Sequence, residues 1–253
     1  MSEKIALISG ASSGFGLELS KILVNKGWKV IGLARRAEKL AQLKEELGDN
    51  FYPLVLDICK LEYIASSIDI LPENWQYISL LVNNAGLARG LESADKTKIS
   101  DWYEMVDTNI KGLITLTHTI LPRMVAKNKG HIVNLSSTAA SYPYYGSNVY
   151  GATKAFVKQF SLNLRADLVG TKVRVSNIEP GLIAGTEFSN VRFKGDDEKA
   201  AAVYEGVENM TGKDIAEIIA WIVEMPEHIN VNRIEIMPTA QTFAGLKVVK
   251  KES

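Results

Sequence analysis

The sequence predicts a single α/β domain in which a parallel sheet carries helices on both faces. Apolar runs of strand length alternate along the 253 residues with segments whose apolar residues recur at helical spacing. The first run, at residues 5–8, leads into a glycine-rich turn and then into an amphipathic helical pattern. Such alternation favours right-handed crossovers, and these produce a parallel sheet that is covered on both sides.

The individual elements follow from the same periodicities. Strands are predicted at residues 5–8, 29–34, 51–56, 79–82, 131–135, 173–178 and 233–237. Helices are predicted at residues 16–26, 37–47, 61–70, 100–127, 150–168 and 214–223. We expect these seven strands in the spatial order 3-2-1-4-5-6-7. The irregular stretch from 180 to about 210 is long for a compact domain, so a substrate lid is predicted at about 181–210.

Composition limits the classes of partner. The 29 basic side chains balance the 29 acidic ones, which argues against a nucleic-acid partner and against a polybasic membrane surface. Lys247, Lys250 and Lys251 are interpreted as a solvated tail. The single cysteine, Cys59, excludes an internal disulfide and favours a reducing compartment. We expect a cytoplasmic protein, because no signal peptide precedes the first strand and no apolar run could span a bilayer. No metal site is predicted.

A glycine turn connects the first strand to the first helix. Gly10, Gly14 and Gly16 follow a G-x-x-x-G-x-G spacing. Glycines let the backbone approach a pyrophosphate closely, and the helix start offers N–H groups and a positive dipole end to phosphates. The alternative is an ordinary glycine-rich turn, which the strand before and the helix after it make less favourable. Cofactor contacts are therefore predicted from Gly10, Ser12, Ser13, Gly14, Phe15 and Gly16.

The end of the second strand indicates which dinucleotide binds. NAD-specific folds usually carry an acid about 20 residues after the glycine turn, which binds the ribose 2′-hydroxyl. Here the strand ends in Arg35 and Arg36 instead. A guanidinium binds a 2′-phosphate that a carboxylate would repel. We therefore predict NADP (NADPH) as cofactor. The alternative is that both arginines are simply solvated at a helix start, where a cation is slightly unfavourable.

A tyrosine and a lysine predict acid/base chemistry. Tyr150 and Lys154 stand four residues apart at a helix start, so their side chains share one face. An ammonium there lowers the phenol pKa from its ordinary value of about 10. Ser136 and Ser137 end the preceding apolar run, and only one of two adjacent strand residues can point toward Tyr150. Together these side chains predict proton transfer to or from a carbinol oxygen.

Taken together, these residues resemble the short-chain dehydrogenase/reductase family over nearly the whole chain. The markers are the turn at residues 10–16, Asp57, the run Asn83-Asn84-Ala85-Gly86, Asn109, Ser137, Tyr150 with Lys154, and Pro180-Gly181. Residues 149–157 and 179–193 are similar to the NADP-dependent 3-hydroxy acid dehydrogenases, which include serine and L-allo-threonine dehydrogenase. One departure is Ser9, where many members carry threonine, and the hydroxyl is retained.

The resemblance implies a Rossmann fold and a role for each marker. It implies the catalytic residues Asn109, Ser137, Tyr150 and Lys154, with Ser137 rather than Ser136 as the active hydroxyl. It implies cofactor contacts from Asp57, Ile58, Asn84, Tyr150, Lys154, Pro180, Gly181, Ile183 and Thr186. Asn109 would hold a water beside Lys154, although a helix-interior Asn satisfied by backbone is an alternative. Asp57 has the alternative of capping the next helix. A homotetramer is implied, with the helices at 100–127 and 150–168 as interface.

The predicted reaction interconverts a small 3-hydroxy acid and its 3-oxo acid or semialdehyde. Tyr150 takes the substrate proton, and Ser137 donates to the developing oxyanion. A carboxylate substrate needs a cation, and Arg192 is the candidate. The alternative for Arg192 is pairing with Glu187 or with the acids at 196–198. Tyr142, Pro143, Tyr144 and Tyr145 would line the pocket or pack on the surface.

Two rival functions fit the same fold. One is an NADPH-dependent 3-oxoacyl or general ketone/aldehyde reductase, which would have the same catalytic groups and a different pocket. The other is a catalytically silent NADPH-binding sensor, a class that usually loses the tyrosine or the lysine.

Overall fold

The computed structural model describes residues 4–243 and confirms the predicted parallel sheet. The strands are β1 (Ile5–Ser9), β2 (Lys29–Ala34), β3 (Phe51–Val55), β4 (Leu80–Asn83), β5 (Gly130–Leu135), β6 (Val173–Pro180), β7 (Ile183–Ala184), β8 (Met210–Thr211) and β9 (Arg233–Ile236). Within residues 4–243, seven of them form one sheet in the order β3-β2-β1-β4-β5-β6-β9, and all neighbours are parallel. The short strands β7 and β8 pair with each other outside it. With β9 as the seventh strand of the main sheet, the strand order is the predicted 3-2-1-4-5-6-7.

Helices cover both faces of the sheet. They are α1 (Gly14–Asn25), α2 (Ala37–Leu47), α3 (Leu61–Asp69), α4 (Ile99–Val106), α5 (Leu113–Ala126), α6 (Asn148–Asp167), α7 (Phe188–Arg192), α8 (Asp197–Ala202) and α9 (Gly212–Glu224). One buried cluster joins α1, α2 and α9 to the sheet. A second cluster, on the other face, joins α3, α5 and α6 to it.

Strand β1 shows how one segment serves both clusters. Successive side chains of a strand point to opposite faces. Ala6 and Ile8 pack with the α1 side, whereas Ile5 and Leu7 pack with the α3 side. All four are almost completely buried. A strand buried on both faces has a continuous apolar sequence, and residues 5–8 show this pattern.

The helix predicted at 100–127 is interrupted in the structure. A π-helical segment, Asp107–Gly112, separates α4 from α5. A Cβ on Gly112 would lie 2.7 Å from Ile58 Cγ1, so this turn packs tightly against the loop after β3. A π turn takes up one residue more than an α turn, but the apolar residues on either side of this one still follow a helical pattern, so the sequence did not reveal it. Such turns are frequent at functional sites, and this one contains Asn109.

The stretch predicted to be irregular after β6 is partly regular. It contains β7, α7, α8 and β8. Helices α7 and α8 span only five and six residues, which is too short for an apolar periodicity to be recognised in a sequence. The segment between β7 and β8 lies over the carboxyl ends of the sheet strands, because several of its side chains line the cavity found there.

Two further predictions concern membrane-spanning segments and the basic residues near the C-terminal end. Among residues 4–243, each helix is too short or too polar to cross a lipid bilayer. The basic residues Lys247, Lys250 and Lys251, interpreted as a solvated tail, lie outside the described residues.

Candidate active site

A cavity of about 480 Å³ opens at the carboxyl ends of the sheet strands. In open α/β sheets this is where ligands bind. Most of the predicted site residues line it, namely Gly10, Ser12, Ser13, Gly14, Phe15, Arg35, Arg36, Asp57, Ile58, Asn84, Ser137, Tyr150, Lys154, Pro180, Gly181, Ile183, Thr186 and Arg192. Gly16 and Asn109 do not line the cavity but contact residues that do.

The glycine turn leaves the start of α1 open. Gly10 adopts a positive φ of 72°, which favours glycine, and its N–H donates to Leu33 O at 2.8 Å. A Cβ on Gly16 would lie 2.5 Å from Gly10 O, so only glycine lets the turn close on the helix. Within the described residues no side chain caps α1 at Ser13. The first-turn N–H groups of α1 are therefore available to an anion.

Ser9 and Asn84 hold this turn against the end of β4. The buried Ser9 hydroxyl donates to Val82 O at 3.3 Å and accepts from the backbone N–H groups of Asn84 and Ala85. The Asn84 amide donates to Ser9 O at 2.8 Å. These contacts use the serine hydroxyl at the position where threonine is frequent, so the substitution preserves the link between the two strands.

Arg36 is fixed at the mouth of the cavity. Its guanidinium donates to Ser12 Oγ at 2.9 Å and to Ser13 Oγ at 2.9 Å, so it joins the glycine turn to the start of α2. A third donor, Nη1, contacts Glu187 Oε2 at 2.6 Å. Arg36 is thus held in place and is not simply solvated. Arg35 is exposed and lines the same mouth.

Sequence reasoning missed two charged residues here. Lys39 Nζ lies 2.6 Å from Glu187 Oε1, so one carboxylate bridges Arg36 and Lys39. Burial raises the pKa of Glu187, but the hydrogen bonds from Lys39 and Arg36 outweigh it and hold that pKa below its ordinary value. A signal for Lys39 existed in the sequence, since it lies about one helical turn after Arg36 at the start of α2. Glu187 had no such signal.

Asp57 organises the loop after β3. Its Oδ1 accepts from the Cys59 N–H at 3.0 Å. The alternative that Asp57 caps the next helix is wrong, because α3 begins at Leu61 and Lys60 occupies the N-cap position. Burial raises the pKa of the Cys59 thiol, and its Sγ lies 3.3 Å from Thr108 Oγ1. Cys59 is therefore a packing residue and not a reactive thiolate.

Tyr150 is buried in the cavity wall beside Ser137. The Ser137 hydroxyl donates to Pro180 O at 3.4 Å and accepts from Ala139 N at 3.1 Å. Burial raises the pKa of Tyr150 to about 12, with the nearby Tyr144 adding to the rise, while Arg192 and a hydrogen bond with Ser137 lower it. Ser136 points elsewhere and donates to Lys154 O at 2.7 Å.

Lys154 is also buried, and its environment corrects one expectation. Its Nζ donates to Leu135 O at 2.8 Å, and it lies 5.9 Å from the centroid of the Tyr150 ring. Burial lowers the pKa of Lys154 to about 8. We expected Lys154 to bring the pKa of Tyr150 toward neutrality, but desolvation penalises both charged forms and Arg192 is the cation that lowers the tyrosine pKa.

Asn109 connects the π turn to helix α6, which carries Tyr150 and Lys154. Its Nδ2 donates to Leu87 O at 2.9 Å and to Thr153 Oγ1 at 3.0 Å, and its Oδ1 accepts from Leu87 N. A Cβ on Gly86 would lie 3.3 Å from both Asn109 Oδ1 and Lys154 Nζ, so the two side chains lie close together. The Asn109 side chain thereby positions the residue before Lys154.

Arg192 projects from α7 into the end of the cavity that contains Tyr150. Its guanidinium carbon lies 5.1 Å from the Tyr150 ring centroid and 5.3 Å from that of Phe188. Nη2 donates to the hydroxyl of Tyr144 at 2.6 Å. The buried Nε has no partner among the described residues. Pairing with Glu187 is wrong as an alternative, because that carboxylate contacts Arg36 and Lys39 instead.

The aromatic run before Tyr150 divides between two roles. Tyr144 lines the cavity and contacts Arg192. Tyr142 instead donates to Glu235 Oε1 at 2.9 Å, and Tyr145 is 58% exposed, so these two do not form the wall.

The loop after β4 anchors α7, a contact that the sequence did not reveal. Arg89 forms a two-point ion pair with Glu104, at 2.7 and 2.6 Å, and its Nη1 donates to Val191 O at 2.6 Å. The backbone N–H of Gly90 donates to Arg192 O at 2.9 Å. The end of α7, and with it Arg192, is therefore tied to the body of the domain.

Proteins of known family and name are similar to this chain over most of its length. The family model described as short chain dehydrogenase matches residues 4–197. The chain belongs to the short chain dehydrogenase family. A "Probable NADP-dependent dehydrogenase" of Haemophilus influenzae is 60% identical and covers 100% of both chains. An "NADP-dependent 3-hydroxy acid dehydrogenase" of Salmonella typhi is 54% identical, over 96% of this chain and 98% of its own.

A solved structure of the same family is also similar. It is described as the closed form of serine dehydrogenase complexed with NADP+, with 52% identity and a TM-score of 0.96. The alignment covers 98% of this chain and 100% of that one. The short chain dehydrogenase fold and the oxidoreductase class predicted from the sequence are confirmed.

Proposed function

We propose that this chain is an NADP-dependent oxidoreductase that interconverts a small 3-hydroxy acid and its 3-oxo acid or semialdehyde. One observation carries the proposal. A buried tyrosine hydroxyl, Tyr150, shares a cavity with Ser137, Lys154 and the guanidinium of Arg192. An open helix start and Arg36 lie in the same cavity. Similar proteins named for NADP and for 3-hydroxy acids support the same function.

The residues at the mouth of the cavity fit NADP. The N–H groups at the start of α1 would bind the pyrophosphate. Arg36 and Lys39 supply the cations for a 2′-phosphate, and no acidic residue ends β2. Asp57 and Ile58 would border the adenine, with Asn84 and Thr186 near the nicotinamide end. When bound, NADP+ supplies the acceptor for the hydride that leaves the carbinol carbon.

Proton transfer is assigned to Tyr150. The substrate hydroxyl would lie between Tyr150 and Ser137, where the serine hydroxyl stabilises the developing oxyanion. Burial lowers the pKa of Lys154 to about 8, so Lys154 would accept the proton from Tyr150 in the oxidising direction and return it in the reducing direction. Asn109 holds Thr153, and so keeps this part of α6 in register. In the reducing direction Tyr150 acts as the acid.

Arg192 is assigned to the substrate carboxylate. Its unpaired, buried Nε and the adjacent Nη2 form the fork that binds a carboxylate at two points. Exchange of the Tyr144 hydroxyl for a carboxylate oxygen would replace a neutral acceptor with a charged one. The segment at about 181–210 would then act as the predicted lid, because it carries Arg192.

The rival functions are weighed by the same geometry. A 3-oxoacyl thioester carries no free carboxylate for Arg192, so the guanidinium in the cavity favours a free acid over such substrates. A silent NADPH sensor has no need of Tyr150, Lys154 and Ser137 together, and all three line one cavity here.

A substrate panel tests the proposal directly. Serine, L-allo-threonine, 3-hydroxypropionate and a 3-oxoacyl thioester would each be assayed with NADP(H) and with NAD(H). We expect turnover of the free 3-hydroxy acids with NADP(H). Turnover of the thioester alone would favour the reductase, and tight NADPH binding without any turnover would favour the sensor.

We also propose that the chain forms a homotetramer. Two helices predicted to form an interface, α5 and α6, keep apolar side chains on the surface. Ile114 and Val125 on α5 are 36% and 40% exposed, and Phe156 on α6 is 36% exposed. Burial of these side chains against a second copy would remove them from water. Light scattering in solution would measure the mass directly.

A further inference from the structure

Arg36, at the mouth of the cavity, and Lys39, one helical turn further along α2, already bind an anion of the protein itself. Glu187 Oε2 contacts Arg36 Nη1 at 2.6 Å, and Glu187 Oε1 contacts Lys39 Nζ at 2.6 Å. The Nε and Nη2 atoms of Arg36 donate to Ser12 Oγ, and Nη2 also donates to Ser13 Oγ. Both cations are thus directed at one point in front of the glycine turn, and a carboxylate occupies that point.

Glu187 belongs to the same segment as Arg192, the residue assigned to the substrate carboxylate. It precedes α7 directly, and Arg192 is the last residue of that helix. The contact therefore ties the beginning of α7 to α2, while Arg89 and Gly90 tie its end to the loop after β4. One attachment of α7 is at the cofactor end of the cavity, and the other is at the substrate end.

We propose that Glu187 is an internal anion that competes with the 2′-phosphate of the cofactor for Arg36 and Lys39, so that an NADP-type cofactor releases the start of α7 from α2. This rests on the proposed function, because it takes the 2′-phosphate to bind at these cations. A dianionic phosphate and a carboxylate repel each other at contact distance, and the phosphate offers more charge to both cations.

The competition distinguishes the two dinucleotides. NAD carries a neutral 2′-hydroxyl, so it neither repels Glu187 nor displaces it from its cations. NADP must break two ion pairs before its phosphate gains the same partners. The position of the start of α7 would then depend on the presence of the 2′-phosphate. Cofactor binding would thereby change the mobility of α7, the helix that carries Arg192, before the substrate binds.

Binding of nucleotide fragments to the full chain provides the test. Calorimetry at constant ionic strength would compare 2′,5′-ADP with 5′-AMP on the wild-type protein, Glu187→Gln and the control Glu198→Gln. Glu198 is an exposed glutamate of α8, so its replacement removes the same charge from the same segment. Unfolding midpoints would show that each variant is folded.

We expect Glu187→Gln to bind 2′,5′-ADP about fivefold more tightly, the largest factor that a half-exposed ion pair usually contributes. Its affinity for 5′-AMP should be unchanged, and Glu198→Gln should alter neither affinity by more than about twofold. In hydrogen exchange of the wild-type chain, 2′,5′-ADP should increase exchange of the amides at 187–191, and 5′-AMP should not.

The contrary outcomes are distinct. Unchanged or weaker binding of 2′,5′-ADP by Glu187→Gln would show that Glu187 supports Arg36 instead of competing with phosphate, and would overturn the inference alone. Equal affinity of the wild-type chain for 2′,5′-ADP and 5′-AMP would instead refute the NADP pocket, and with it the proposed cofactor.

Discussion

The guanidinium of Arg192 lies over the ring of Tyr150, with 5.1 Å between the guanidinium carbon and the ring centroid. The two residues come from different parts of the chain, one from the segment after β6 and the other from the start of α6. The cation lowers the pKa of Tyr150 against the stronger effect of burial. The position of α7 therefore affects both the substrate pocket and the acidity of the proposed proton donor.

Replacement of Tyr150 by Phe should remove the proton donor and leave the cofactor site intact. We expect turnover to fall by about 10²- to 10⁴-fold, the usual contribution of a general acid or base. NADPH affinity, measured by fluorescence titration, should stay within about twofold, because Arg36 and the glycine turn are untouched. Tyr103→Phe, at an exposed position of α4, is the matched control. Substantial residual activity in Tyr150→Phe would contradict the assignment.

Replacement of Arg192 by Ala should weaken binding of acidic substrates specifically. A hydrogen-bonded charge contributes about 1.5–3 kcal/mol, so KM for a 3-hydroxy acid should rise by about 10- to 100-fold. Activity on the methyl ester of the same acid should change much less, and Arg192→Lys should restore part of the loss. An equal loss on acid and ester would show that Arg192 acts by positioning Tyr150.

Replacement of Arg89 by Ala should loosen the end of α7. The variant loses the donor to Val191 O and the ion pair with Glu104. We expect KM for the acid to rise about fivefold with kcat within about twofold, because a partly exposed attachment is lost and the chemistry is not. Arg123→Ala, which removes a different arginine–carboxylate pair on α5, is the control. An unchanged KM would show that Arg89 is not needed to hold Arg192 in its position.

Replacement of Lys154 by Met should change how the free energy of unfolding depends on pH, because it removes a buried ammonium group. The folded-state pKa of Lys154 is about 8 and its ordinary value is 10.5. Between these two pH values the unfolded chain therefore binds more protons at Lys154 than the folded chain does. As a result, the free energy of unfolding of the wild type increases as the pH rises through this window. Below pH 8 the full cost is present.

The measurement is urea unfolding of both proteins at pH 7 and pH 10. We expect the free energy of unfolding of the wild type, relative to Lys154→Met, to increase by about 2 kcal/mol over this range. Tyr150 stays protonated throughout, since its pKa is about 12. A difference that does not vary with pH would show that Lys154 has an ordinary pKa in the folded chain.

The sheet could be predicted because local patterns specify it. Buried strands such as residues 5–8 and helical stripes such as that of α2 are visible without tertiary information. The π segment was missed because it lies between two longer helical patterns, and α7 and α8 were missed because they are too short to show a periodicity. Their form depends on contacts with distant residues, such as those of Asn109 with Leu87 and Thr153.

The sequence alone determined the parallel α/β fold, the glycine turn, the two arginines in place of an acid at the end of β2 and the spacing of Tyr150 and Lys154. These are properties of residues close together in the chain. Only the tertiary structure decided that Glu187 contacts Arg36 and Lys39, and that Arg192, rather than Lys154, lowers the pKa of Tyr150. Ion pairs and pKa values depend on distances in space and on burial, so residues that are far apart in the sequence determine them.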